Sequence, residues 1–356
     1  MRLIKYCVLL LFIVTLSSCG KGNAPVTNKS GGNLTGAGAT FPYPIYSKWF
    51  SEYQKINPDA KISYQSIGSG GGIKQTTEGT VDFGASDIPL TPDELKKAED
   101  KNNSKLLQIP TVLGAVVLTY NLPGITSNIN LSGSTIADIF LGNIKKWNDA
   151  KIKADNPGIN FPDKEIVPCT RTDGSGTTYI FTEYLGKVSP EWKDKKGAAK
   201  DMKFPVGQGA KGNEGVTGFV KQLEYSIGYV ELIYAIQNNL KYASVKNKEG
   251  EFISPELASV TKAADNTVDE MKDGLTLSVT DAKGKGSYPI SSYTYMLIFE
   301  NQKDAGKGKI LKGFMNWALS DGKKFANDLG YASLPESIIA KAKESVAKIN
   351  SNGTVL

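Results

Sequence analysis

Beyond residue 33, short runs of β-branched and aromatic residues alternate with stretches whose apolar positions recur every three or four residues. The strand-like runs are 62–67, 81–85, 109–120, 166–170, 227–230 and 293–299. Between them Ile45, Trp49 and Tyr53 share one helical face, as do Phe181, Tyr184 and Leu185. Near the C-terminus Ile310, Leu311, Phe314, Met315, Trp317 and Ala318 repeat the pattern. Such alternation predicts an α/β architecture with ligand loops at the strand ends. The lysine-rich stretches 191–203 and 238–274 depart from it and are expected to be solvated surface elaborations.

The first 32 residues follow a different pattern. Arg2 and Lys5 precede an apolar run from Cys7 to Leu16, and then comes Leu16-Ser17-Ser18-Cys19-Gly20. A charged start, a short apolar core and small residues before a cut describe a secretory signal peptide, here 1–18. The run is too short for an ordinary membrane span. The tetrad ending in Cys19 resembles a bacterial lipobox, in which that cysteine becomes the lipid-modified first residue. The alternative is a plain signal peptide with an incidental cysteine. Residues 19–32 then form the lipidated cysteine and a flexible Gly/Asn/Ser/Lys-rich tether. The expectation is an exported periplasmic or cell-surface lipoprotein, held to a membrane by its lipid alone.

Composition narrows the chemistry. With 356 residues the chain has room for two domains, and 40% hydrophobic with 22% charged residues is the balance of a soluble globular body. The formal charge of +6 is mild and its lysines are scattered among acids, so nucleic-acid binding gains no support. There is no histidine, which removes Ser-His-Asp and Cys-His catalysis and the commonest zinc ligand. Past Cys7 and Cys19 the only cysteine is Cys169. It permits no disulfide framework and reads as a small buried hydrophobe.

Three Gly-rich turns then stand out, each just before a predicted helix. Gly36-Ala37-Gly38-Ala39-Thr40-Phe41-Pro42 leads into the Ile45/Trp49/Tyr53 helix. Ser66-Ile67-Gly68-Ser69-Gly70-Gly71-Gly72 leads into 73–78, and Arg171-Thr172-Asp173-Gly174-Ser175-Gly176-Thr177 into 178–185. The first N–H groups of a helix lack intrahelical acceptors, and the helix dipole favours negative charge there. Glycine lets backbone approach an oxyanion, and Ser or Thr adds a donor. One such turn is commonly just a turn or cap; three, one headed by arginine, point to a tetrahedral anion. Nucleotide fingerprints fail, because Phe41 replaces the third glycine of G-x-G-x-x-G and no phosphate-binding P-loop occurs. Neither Ser69 nor Ser175 lies in a complete G-x-S-x-G elbow.

These motifs, with Val81-Asp82-Phe83-Gly84-Ala85-Ser86-Asp87 between the second and third, occur in an order that resembles the phosphate-binding protein of the bacterial high-affinity phosphate ABC transporter. Gly142–Trp147, Ile227–Glu231 and Tyr331–Pro335 extend the likeness over 34–340. The resemblance implies a type II periplasmic-binding-protein fold, two α/β lobes joined by two crossing strands with the ligand between them. Lobe one is then 33–112 plus 286–356, and lobe two 113–285. It implies a binding protein rather than an enzyme, with no cofactor and no metal. Its partners would be inorganic phosphate, arsenate as a competitor, and permease subunits, and a monomer is expected. Thr40 and Phe41 would give backbone N–H groups, Thr40 and Ser69 hydroxyls as well, and Arg171 its guanidinium fork. Ser175, Gly176 and Thr177 would close the far side from a helix N-terminus. Asp173 would hold Arg171, or else simply cap the following helix. Asp87 would accept the proton that phosphate keeps and sulfate lacks, or else merely cap the turn before Pro89. Cys169 and Thr170 depart from the expected apolar or basic character before the arginine, and 238–285 matches poorly.

Two other readings remain open. A phosphate-ester hydrolase using Ser69 or Ser175 would need a base or a metal, for which no dense carboxylate cluster is evident. A binder of sulfate or molybdate, or a surface protein acting as sensor or adhesin, would use the same kind of cleft.

Overall fold

The computed structural model describes residues 32–270 and 275–356. The expected signal peptide, Cys19 and the tether short of Gly32 lie outside the described residues. In chain order the strands are β1 (Gly32–Gly38), β2 (Ala60–Ser66), β3 (Phe83–Ser86), β4 (Leu106–Asn121), β5 (Asn130–Leu131), β6 (Val167–Arg171) and β7 (Gln208–Ala210). They continue as β8 (Ser226–Glu231), β9 (Lys241–Tyr242), β10 (Ser244–Lys246), β11 (Phe252–Ile253), β12 (Ser291–Phe299), β13 (Asn350–Ser351) and β14 (Thr354–Val355).

The main sheet runs β2-β1-β3-β12-β4-β8-β6-β7, with β9 added to β4. Its organising strand is β4. From Leu106 to Ala115 it pairs antiparallel with β12; from Val116 to Asn121 it pairs antiparallel with β8. One half of the sheet is therefore the parallel group β2-β1-β3 plus β12, the other the group β8-β6-β7. The result is two α/β lobes sharing β4, with the chain returning at Ile290, whose carbonyl accepts the Val116 N–H at 2.8 Å. Helices cover both faces, which is why residues 109–120 are buried without interruption instead of alternating.

Each lobe has its own aromatic core. In the first, Tyr46, Trp49, Phe50 and Tyr53 on one face of the helix Tyr43–Ile56 pack on Phe83 and Phe314. In the second, Phe181 and Tyr229 stack with centroids 4.4 Å apart, and Phe140 meets both edge-on. Each such buried ring contributes about 1.5–3 kcal/mol. Contacts across the cleft join the described residues into one compact unit, so the lobes are told apart by the change of strand partners in β4.

All six expected strands are present, but four expectations need correction. Gly36-Ala37-Gly38 is the end of a central strand rather than a turn, and Gly70–Gly72 lie inside the first turns of the helix Ser69–Glu78. Crowding explains both. A Cβ on Gly72 would stand 2.5 Å from the Gly38 Cα and 2.6 Å from the Ala85 carbonyl. Glycine here lets a helix lie directly against two strands, and its low strand and helix propensity disguised both elements. Residues 191–203 are not only solvated surface, since Trp192 in the helix Pro190–Lys195 is fully buried. Nor are residues 238–270: β10 and β11 join β5 in a small sheet, and the helix Leu257–Asp265 buries Val260, Ala263 and Ala264.

Candidate functional site

Thr40 and Phe41 link β1 to the helix Tyr43–Ile56, Ser69 opens the helix Ser69–Glu78, and Asp87 follows β3. All four are buried. Gly68, at φ +88°, turns the chain into the second helix in a conformation that suits glycine. The Ser69 hydroxyl donates to Asp87 Oδ2 at 3.3 Å and accepts the Asp87 N–H at 3.2 Å. The Thr294 hydroxyl, from β12, donates to Asp87 Oδ1 at 2.7 Å. Burial pushes the Asp87 carboxyl up to about 7, against the opposing pull of the Thr294 hydroxyl, the Arg171 charge and the Ser69 hydroxyl. The turn before Pro89 is tied by Ser86, whose hydroxyl bridges the Ile88 carbonyl and N–H. Asp87 is thus spare for another task.

The opposite wall comes from β6 and the helix Gly176–Val188. Arg171 ends β6 with its side chain 1% exposed. Its Nε and Nη2 donate to the two oxygens of Asp173 at 2.8 and 2.5 Å, and Nη1 to the Thr177 hydroxyl at 3.4 Å. A guanidinium has five N–H groups, so one remains on each terminal nitrogen. Asp173 does not cap the helix after it; Ser175 does, accepting the Thr178 N–H at 3.0 Å. Asp173 instead accepts the Gly212 N–H at 3.0 Å, the first residue of the helix Gly212–Gln222. Burial alone would raise its carboxyl, but Arg171 holds it below the usual range. The Ser175 N–H is spent on the Lys200 carbonyl.

The two walls meet. A Cβ on Gly176 would lie 2.5 Å from Ser69 Oγ and 2.6 Å from Asp87 Oδ2, so only glycine lets this helix end reach Asp87. Gly70 N–H donates to the Gly174 carbonyl at 2.8 Å, and Ser66 to Glu214 at 3.1 Å. Tyr234 donates to the Thr40 carbonyl at 2.6 Å, polarising the peptide whose N–H belongs to Phe41. Lys200 and Glu94 form an ion pair between the same two groups of elements.

Every residue expected from the sequence therefore falls in one buried locus, save Cys19, which lies outside the described residues. Among the described residues, the N–H groups of Thr40, Phe41, Ser69, Gly176 and Thr177 meet no protein acceptor. Balanced against Asp173, Arg171 adds little net charge, so the locus is built on oriented N–H dipoles more than on cations. Asn213, Tyr234 and Thr294 were missed. Asn213 follows a glycine at a helix start, the signal used for the other three turns, but Lys211-Gly212-Asn213 lacks the hydroxyl that drew attention to them. Thr294 reads as ordinary strand sequence. Among the described residues no group of three or more Cys, Asp or Glu is placed to hold a metal ion.

Comparison with known proteins decides the family. The PBP superfamily domain matches residues 23–322. A phosphate-binding protein PstS from Pasteurella multocida is 47% identical, over 86% of this chain and 88% of that one. The chain belongs to the PstS family. The family's reach is wide: the PstS of Haemophilus influenzae is 44% identical over 87% of this chain and 91% of its own. That of Methanocaldococcus jannaschii is 37% identical over 93% of this chain and 90% of its own. A phosphate ABC transporter substrate-binding protein from Clostridium perfringens, solved with bound phosphate, superposes with a TM-score of 0.61 at 20% identity. It covers 85% of this chain and 100% of that one. A periplasmic phosphate-binding protein, also phosphate-bound, gives 0.70 at 19% identity, over 88% and 93%. These two show the fold, a two-lobed periplasmic-binding protein. The PstS relatives are named as phosphate-binding proteins.

Proposed function

We propose that this PstS-family chain captures inorganic phosphate between its lobes and passes it to an ABC-type permease, leaving it chemically unchanged. One observation supports this most: unspent N–H groups from both lobes converge on a locus that also holds the Asp87 carboxyl, which, unlike Asp173, is not paired with Arg171 and has room in its bonding for one more donor. Thr40, Phe41, Ser69, Arg171, Ser175, Gly176 and Thr177 supply donors to the phosphate oxygens, and Asp173 holds Arg171. Asp87 accepts the proton.

The selectivity follows from proton count. Above about pH 7, where Asp87 is ionised, phosphate still keeps one proton and donates it to that carboxylate. Sulfate has none, and two facing acceptors buried with no proton between them cost several kcal/mol. About 4 kcal/mol is roughly a thousandfold preference. Arsenate keeps a proton and competes. Asp87→Asn turns the acceptor into a group that also donates, so sulfate affinity should rise relative to phosphate in competitive titrations. An unchanged ratio would remove Asp87 as the filter.

The lobe division belongs to the same proposal: 33–112 plus 286–356 against 113–285, the chain crossing near Ala115–Val116 and Ile290–Ser291 and closing as a monomer around the ligand. So does export with a lipid on Cys19, checked by mass spectrometry of the mature N-terminus. Among the described residues no helix is long and apolar enough to cross a membrane.

A further inference from the structure

Asn213 stands in the first turn of the helix Gly212–Gln222, fully buried between the two walls. Its Oδ1 accepts the Glu231 N–H at 3.0 Å. That bond settles which way the amide faces, because an Nδ2 in the same place would set two donors against each other. Nδ2 therefore points at the site and donates one hydrogen to each of two hydroxyls, Thr40 Oγ1 at 2.8 Å and Thr177 Oγ1 at 3.2 Å.

Each of these hydroxyls receives a second donor. The Asn213 N–H reaches Thr40 Oγ1 at 3.3 Å, and Arg171 Nη1 reaches Thr177 Oγ1 at 3.4 Å. A hydroxyl has two lone pairs and one hydrogen. With both lone pairs engaged, the hydrogen is its only remaining bond, and among the described residues neither hydroxyl donates to a protein acceptor. Thr40 follows β1 and Thr177 lies in the first turn of the helix Gly176–Val188, so one amide sets the polarity of hydroxyls on both sides of the cleft.

We propose that Asn213 is the positioning residue that makes Thr40 and Thr177 obligate donors to the bound oxyanion. The ligand must present bare oxygens to both threonines, which directs its proton to Asp87. This rests on the phosphate-capture reading and adds to it an orientation rule. It also makes donor geometry depend on closure, since the amide reaches both hydroxyls only when the walls meet.

The test is a thermodynamic cycle on phosphate affinity, by calorimetry, with ligand-free melting temperatures to establish folding. Asn213→Ala should weaken phosphate binding about ten- to a hundredfold, the scale of one or two lost hydrogen bonds to a charged group. In Thr177→Val the same change should cost less. In the double variant Thr40→Val/Thr177→Val, where no hydroxyl remains to orient, it should cost nearly nothing. A residue that merely supports the fold would give the same loss in every background, and that result would overturn the proposal. So would undiminished affinity in folded Asn213→Ala. If that variant does not fold, Asn213→Leu fills the same space without the amide and serves in the same cycle. Native protein that ignores phosphate would instead defeat the phosphate reading itself, a separable outcome.

Discussion

Glu231 ends β8 directly opposite Val116, the residue at which β4 changes partners. Its Oε2 accepts the Ile233 N–H at 2.8 Å and caps a short helix, while Oε1 is buried with no hydrogen-bond partner among the described residues. Burial holds the proton on well above the usual carboxylate range, and the charge of Asp87 adds to it, against the pull of the Ile233 N–H. An acid with a raised folded pKa keeps a proton that the unfolded chain has already released. Its contribution to stability is complete below the unfolded value, about pH 4.3, and declines as pH rises toward the folded one. Asp87, raised to about 7, works in the same direction. Glu231→Gln, uncharged at every pH, should therefore melt close to the native protein at pH 5 and above it at pH 8. Scanning calorimetry at both values decides it, and an equal difference at the two would contradict a buried neutral Glu231.

At the scale of elements, the site is a meeting of helix starts. The helix Gly176–Val188 reaches the Asp87 side only because residue 176 has no side chain. Gly176→Ala would place a methyl against Ser69 and Asp87, which belong to the other wall, while each lobe's own packing is untouched. It should lower phosphate affinity at least a hundredfold with the ligand-free melting temperature nearly unchanged; equal loss of both would mean that the contact is structural. This geometry was partly legible in the sequence. Hydroxyl-and-glycine segments before apolar periodicity marked three helix starts, and continuous β-branched runs marked the buried strands. What stayed hidden has one physical origin. Glycines that serve close approach resemble glycines that serve turns, so the end of β1 and the first turns of the helix Ser69–Glu78 carry the sequence pattern of loops. Lysine-rich segments hid Trp192, Val245 and Val260, because long charged side chains flank buried positions and dilute their period. Asn213 and Thr294 act through tertiary neighbours 173 and 207 positions away in the chain, and no local pattern records that.

At the scale of the whole molecule, the main sheet is divided between two lobes by one strand's change of partner. Hinge motion at that point would separate Thr40 from Asn213, Gly70 from Gly174 and Glu94 from Lys200 together, while leaving both aromatic cores intact. Closure and site assembly are then one event, which is how a ligand can shift the equilibrium between open and closed forms. The most direct measurement is calorimetric titration of the chain from residue 20, freed of endogenous ligand by unfolding and refolding, with phosphate and then with sulfate. Tight one-to-one binding of phosphate, with no heat from sulfate at the same concentrations, is the predicted result. Folded protein that binds neither, or binds both alike, would contradict the phosphate clamp and its Asp87 filter.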